Sequence, residues 1–194
     1  MTTKSSLLKP AARFLGIAES GMSGAKQSIL GGVVMRSDLI IDGIIYGETT
    51  VRGMDASDAI IAMICHLSRY DLNGILLHGS VIAGYNIVDL SRIHQKTNLP
   101  VISITKEPHE DLQTHLKSTF PLDWKTRWEI ACRNGPMQPL ALNTKSTVFV
   151  QFVGCGWDTV KGVIQRLTQF GGVPEPIRIA RLLARAIVNQ QTGG

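Results

Sequence analysis

Three apolar runs near the start of the chain decide its fold: RFLGIA at 13–18, SILGGVVM at 28–35 and LIIDGIIYGETTV at 39–51. Each is rich in branched or bulky apolar residues and bounded by turn signals, so each reads as a strand. Residues 20–24 are rich in Gly and Ser, and Ser37-Asp38 offers a second turn. Short turns between strands make an antiparallel meander. Asp42-Gly43, in the middle of the third run, marks a bulge or break.

Beyond this meander the period changes. Ile60, Ile61, Met63, Ile64 and Leu67 recur at helical spacing, which predicts a helix over 55–70. Asp55 suits its N-cap, and Asp58 suits its positive first turn. GILL at 74–77 is a short buried strand, followed by His78-Gly79-Ser80 and a loop to Tyr85. A helix over 87–96, capped by Asn86, leads to LPVISI at 99–104, another buried strand. Helices over 110–118 and 123–133, a strand over 147–153, and helices over 158–170 and 175–190 complete the pattern. Residues 134–146 hold two prolines and a glycine and read as a mobile surface loop. This order predicts an α/β, ribonuclease-H-like mixed sheet: an antiparallel β1-β2-β3 meander followed by βαβ units, with helices on both faces. Residues 1–12 read as a flexible tail and 13–190 as a single domain.

Composition narrows the function class. With 44% hydrophobic and 18% charged residues in 194, the chain is globular rather than disordered. Its net charge of +5 favours anionic partners such as nucleic acid. No apolar run approaches the roughly 18 residues of a membrane span, and the polar start lacks a signal core, so a cytoplasmic protein is expected. Cys65, Cys132 and Cys155 form no C-x-x-C spacing, which argues against a disulfide framework or zinc site. Cys65, inside the first helical pattern, reads as a buried thiol.

Six stretches carry a resemblance. They are FLGIAESG (14–21), GGVVMRSDLIIDG (31–43), TTVRGMDASDAIIAMI (49–64), GILLHGSVIAGYNIVDL (74–90), LPVISITKEP (99–108) and GGVPEPIRIARLLARAI (171–187). In this order they resemble an archaeal endonuclease dU-like family, a distant relative of endonuclease V. The resemblance implies a metal-dependent DNA endonuclease of DNA repair, with Mg²⁺ or Mn²⁺ as cofactor and deaminated DNA as substrate. Carboxylates at one end of the sheet would hold the cations that activate water and neutralise the phosphate.

This chain departs from that pattern. Where the family has paired aspartates after the first strand's Gly-Ile, it has Ala18 and Glu19. Where the family has Leu-Leu-Asp-Gly, it has Leu77-His78-Gly79. Arg52-Gly53 replaces Asp-Gly, and Arg181 replaces a histidine. Ala18 offers no ligand, His78 is a poor one for Mg²⁺, and Arg52 brings the wrong charge. The acids left for a metal are Glu19, Asp55 and Asp58, and the catalytic candidates are Glu19, Asp55 and His78. Adjacent strand residues face opposite ways, so Glu19 need not replace Ala18. Asp55 is equally explained as a cap, and His78 as a hydrogen-bonded strand end.

Gly79, Tyr85 and Asn86 lie on a glycine-interrupted loop at a strand's C-terminal end, where α/β sheets place ligands. Arg178, Arg181 and Arg185 share one helix face and could meet phosphates of DNA or RNA. Lys161 and Arg166 on the preceding helix would extend that patch. Trp124 and Trp128 either stack on bases or pack against the protein. Two functions remain open at this level. One is an active nuclease on deaminated DNA. The other is a catalytically inactive module on the same fold, binding nucleic acid, a protein partner or a second copy of itself.

Overall fold

The opening meander forms as read. In the computed structural model, which describes residues 7–108 and 110–192, β1 (Arg13–Ser20), β2 (Gln27–Arg36) and β3 (Ile41–Thr50) pair antiparallel in sequence. β4 (Leu72–His78) and β7 (Val101–Thr105) add parallel to β1, and β9 (Thr147–Val153) and β8 (Gln138–Ala141) follow antiparallel. The sheet has seven strands in the order β3-β2-β1-β4-β7-β9-β8. A separate hairpin joins β5 (Val81–Ile82) to β6 (Asn86–Ile87).

Six helices lie wholly among the described residues: α1 (Ala56–Leu67), α2 (Leu90–Thr97), α3 (Leu112–Thr119), α4 (Trp124–Arg133), α5 (Trp157–Leu167) and α6 (Glu175–Thr192). Two apolar layers sandwich the sheet. Leu15, Ile17, Ile75 and Leu77 pack with Ile60 and Met63 of α1 and Ile93 of α2. On the other face, Phe14, Ala18, Leu76 and Ile102 pack with Val163 of α5 and Ile177 and Ala180 of α6.

The register of β2 on β3 slips between Val34–Gly43 and Met35–Ile41, leaving Asp42 as the extra residue of a bulge. The bulge turns its carboxylate towards Arg13 (2.5 Å) and Arg69 (2.9 Å), and hydrogen bonds from both arginines hold its pKa below the ordinary value.

Several expectations are corrected. The 134–146 stretch contains strand β8; as an edge strand it tolerates Pro139, which has no N–H to give a ladder. Cys65 is exposed on α1, because the apolar stripe of Ile60, Met63 and Ile64 turns it to solvent. Of the expected tail, residues 1–6 lie outside the described residues. Leu7 is buried in the core, and the Leu8 carbonyl accepts a hydrogen bond from Arg166. Helix α2 starts at Leu90, because Asp89 rather than Asn86 caps it by accepting the Arg92 N–H.

Helix α6 lies close on the sheet because small residues face each other. A Cβ at Gly31 would stand 2.2 Å from the Ala180 carbonyl oxygen, and one at Gly16 would stand 2.4 Å from the Pro176 backbone. Both obstacles are backbone and cannot rotate away. Gly16→Ala and Gly31→Ala should each lower stability by about 2 kcal/mol. Chemical denaturation would measure the loss, and midpoints matching wild type would refute the close packing.

Candidate functional site

The C-terminal ends of β1, β4 and β7 lie at one edge of the sheet, with the end of β3 beside them. Ile17 pairs with Leu77, so Ala18 and His78 are the next residues of adjacent strands. Ala18 is buried among α6-side residues, and it borders one crevice with Glu19, His78 and Gly79, whose other walls include Ile17, Leu30 and Ile60. There Glu19 accepts a hydrogen bond from Ser28 Oγ at 2.5 Å. Strand alternation thus puts Glu19 on the face away from Ala18, and it does not take the missing position.

Asp55 stands at the N-cap of α1, yet its side chain does not cap. The carboxylate turns back to accept from Thr49 Oγ1 (2.9 Å), Thr50 N (3.1 Å), Thr50 Oγ1 (2.7 Å) and Asn86 Nδ2 (2.7 Å). Burial raises its pKa, but the bonds from Thr50, Asn86 and Thr49 outweigh that and hold it below the ordinary value. Asn86 does the capping instead, accepting the Ala56 N–H through Oδ1 at 3.2 Å. Asp58 is exposed and paired with Arg92 at 2.6 Å. Among the described residues, no three of His, Cys, Asp or Glu gather where they could hold a metal.

His78 lies in a narrow crevice with Ile104, Lys106, Pro174 and Ile177. Burial, then the charges of Arg181 and Lys106, push its pKa below the usual 6.5. The crevices at the ends of β1 and β4 thus bring together Ala18, one carboxylate from Glu19, the His78 imidazole and the cationic Lys106. Mg²⁺ and Mn²⁺ demand several hard oxygen ligands. The donors present do not fit them.

The loop after β4 is strongly shaped. Gly79 has φ +83°, and Ala83, Gly84 and Tyr85 have φ of +42°, +70° and +75° in succession. Consecutive left-handed residues close the β5–β6 hairpin in three residues, a turn that glycine relieves at Gly84. Tyr85 stacks on His115 and meets the edge of Phe120. Arg52 also covers Phe120, and Lys117 lies 4.8 Å over Trp124. Trp128 instead lines a cleft of about 650 Å³ with Val81, Leu112 and Met137, floored by Ser80 and Gln151.

Sequence reading missed Arg127. It is 3% exposed, and its guanidinium donates to the carbonyls of Arg52 (2.9 Å), Gly53 (2.7 Å) and Tyr85 (2.9 Å) and to Asp123, over the Phe120 ring at 3.8 Å. One side chain fastens the loops after β3 and β4 to α4. Its only sequence signal is the Asp123–Arg127 spacing of four, which any exposed helical pair would show. Of the arginine stripe, Arg178 pairs with Glu175 at 2.6 Å, Arg181 acts on His78, and Arg185 is exposed. Lys161 pairs with Asp158, so it adds no open charge.

The endonuclease dU family model matches residues 10–188. The chain belongs to the endonuclease dU family. A UPF0215 protein of Methanosarcina barkeri is 34% identical over 190 residues, covering 96% of both chains. A crystal structure of a protein of unknown function from Archaeoglobus fulgidus superposes with a TM-score of 0.78 at 26% identity, covering 91% of this chain and 98% of that one. Endonuclease V of Ciona intestinalis, in complex with a DNA containing an inosine, superposes with a TM-score of 0.61 at 14% identity, covering 93% and 87%. This last likeness shows the fold alone. The endonuclease dU chain is thus a distant structural relative of endonuclease V with a ribonuclease-H-like fold. No helix is long and apolar enough to cross a membrane among the described residues.

Two outcomes follow from this geometry. Arg127→Ala leaves three part-buried carbonyls without their donor and should cost about 3 kcal/mol. Arg127→Lys should not restore it, since one ammonium cannot span the fork; full recovery by lysine in a denaturation curve would refute the arrangement. His78 binds its proton less readily folded than unfolded. Stability is therefore complete above about pH 6.5 and is lost as pH falls from there through the folded value. Denaturation midpoints between pH 8 and 5 should fall more steeply for wild type than for His78→Gln, and parallel slopes would contradict the environment described.

Proposed function

We propose that this endonuclease dU-family protein recognises nucleic acid, with deaminated DNA as the target class, and uses its own cationic side chains where its relatives use a divalent ion. The observation that carries the reading is His78 at the end of β4 with Lys106 and Arg181 acting on it, beside a buried Ala18. A phosphate needs opposite charge nearby, and fixed ammonium and guanidinium groups supply it without a metal. They do not lower the pKa of a bound water, so cleavage by metal-activated hydroxide is not expected. Arg52, Tyr85, Lys117, Phe120 and Trp124 interleave charge and rings along the neighbouring surface, the combination that holds unstacked bases and backbone. The cleft beside Trp128 has an apolar wall and a polar floor suited to a flat base. The DNA-bound endonuclease V of Ciona intestinalis supports DNA over other polyanions as the partner.

Fluorescence anisotropy and nicking of a labelled duplex containing deoxyuridine or deoxyinosine test this together. Binding should survive EDTA and weaken with salt. Lys106→Glu and Arg181→Glu should each weaken it by about tenfold. Nicking should stay absent with Mg²⁺ or Mn²⁺. Metal-dependent nicking by wild type, lost in Glu19→Ala and Asp55→Ala, would instead establish an active nuclease using the remaining acids. Neither binding nor nicking would turn the search to protein partners.

A further inference from the structure

The two edges of the sheet are treated differently. At one, β8 is four residues long and carries Pro139, two devices that stop a further strand from pairing. At the other, β3 is ten residues long, carries no proline or lysine, and pairs only with β2. Arg69 takes the Asp42 carbonyl and Asp55 the Thr50 N–H at its two ends, and the outer ladder between them, over 43–48, has no strand beside it. Its GIIYG centre, 43–47, bears no charge, and Asp42 before it is tied to Arg13 and Arg69.

The strand is also apolar where it should be polar. Ile44 and Tyr46 are 63% and 60% exposed, and Ile40 and Ile41 are also open to solvent. Ile44 lies opposite Val33 and Tyr46 opposite Gly31. Gly31 is the residue on which Ala180 rests, so both side chains are on the α6 face, where Leu182 is exposed as well. An open ladder flanked by an apolar stripe specifies a strand as its occupant rather than a helix or a nucleic acid.

We propose that the occupant is a second copy of this chain: two β3 strands pair antiparallel about a twofold axis and join two sheets into one. An antiparallel edge is self-complementary, since the same donors and acceptors meet in reverse order on both copies. Charge selects the register. Centred on Ile45, the twofold would set Asp42 against Glu48 of the second copy. Centred on Tyr46, it pairs the two tyrosines and sets Glu48 against the second copy's Ile44, keeping like charges apart. The two α6 helices then flank a shared apolar floor. The sheet edges that carry His78 point in opposite directions, so each copy keeps its own approach to nucleic acid. This inference does not rest on the nucleic-acid reading.

Sedimentation velocity of the full chain tests it. Wild type should sediment at twice the 21.1 kDa chain mass at micromolar concentration. Ile44→Lys should raise the dissociation constant by about tenfold or more, because it buries an unpaired charge. Tyr46→Lys provides a second variant at the same edge, with circular dichroism confirming that each is folded. Leu122→Lys, which removes a fully exposed apolar side chain elsewhere, should leave the dimer intact. Hydrogen exchange should show amides of 43–47 protected in wild type and released in the lysine variants. A wild type monomeric throughout, or a dimer that survives both edge variants, would overturn the proposal. A monomer whose β3 amides are nonetheless protected by added peptide would assign the edge to a foreign strand and would overturn it too.

Discussion

Two loops of this protein converge on one buried guanidinium. Arg127 takes the carbonyls of Arg52, Gly53 and Tyr85, and within the same few residues Asn86 joins the end of β3, the Asp55 carboxylate and the start of α1. Chain ends at a sheet edge have no ladder to satisfy their backbone groups, and burying them unpaired costs about 1–3 kcal/mol each. Side chains supply the partners here. The same bonds that satisfy these groups also fix where Arg52, Tyr85 and Phe120 stand, so the stability of the edge and the shape of its surface have one source. Asp55 belongs to this node. With four donors already on its two oxygens, it holds the fold together, and recruiting it to a cation would mean breaking that set.

The electrostatics at the end of β4 follow from three substitutions acting together. A carboxylate at position 78 beside Arg181 and Lys106 would be neutralised by them, and a divalent ion would be repelled. A neutral imidazole tolerates both cations and keeps a hydrogen-bonding edge. Ala18 then fills the space that a second carboxylate would need to keep solvated. On the proposed reading, these residues are consistent with one another, because the charge to be met is an anion rather than a metal with its anion.

The fold was legible because the period of the apolar residues changes sharply. Alternation and continuous apolar runs through residue 51, then helical spacing from Ile60, leave little choice of element type, and Asp42-Gly43 marked its bulge. Single side chains with unusual roles were not legible. Asp55 reads as a cap from its position, and only the turn of its carboxylate towards Thr49 and Thr50 shows otherwise. Asn86 looks like the cap of the nearest helix and serves a more distant one. Cys65 has an apolar neighbourhood in sequence but lies off the buried stripe. Arg127 carries no local signal beyond its spacing from Asp123, because its other partners are backbone carbonyls 42 to 75 residues away. Strand β8 was hidden by Pro139, which breaks central strands but is harmless at an edge.

That last feature links the fold to its assembly. A sheet must end somewhere, and each end exposes a ladder that water satisfies less specifically than another strand would. Shortness and proline solve the problem at β8 without any partner. At β3 the bulge at Asp42 bends only the first part of the strand, and the Arg13–Arg69–Asp42–Asp71 cluster holds that bend in place. Past it, residues 43–47 run flat, uncharged and apolar on their solvent side. Had selection acted only to keep this edge soluble, a single lysine at Ile44 or Tyr46 would have sufficed, since neither side chain supports the core. The retention of apolar groups there is what a pairing surface requires, and it separates the edge proposed to meet another chain from the end of the sheet proposed to face nucleic acid.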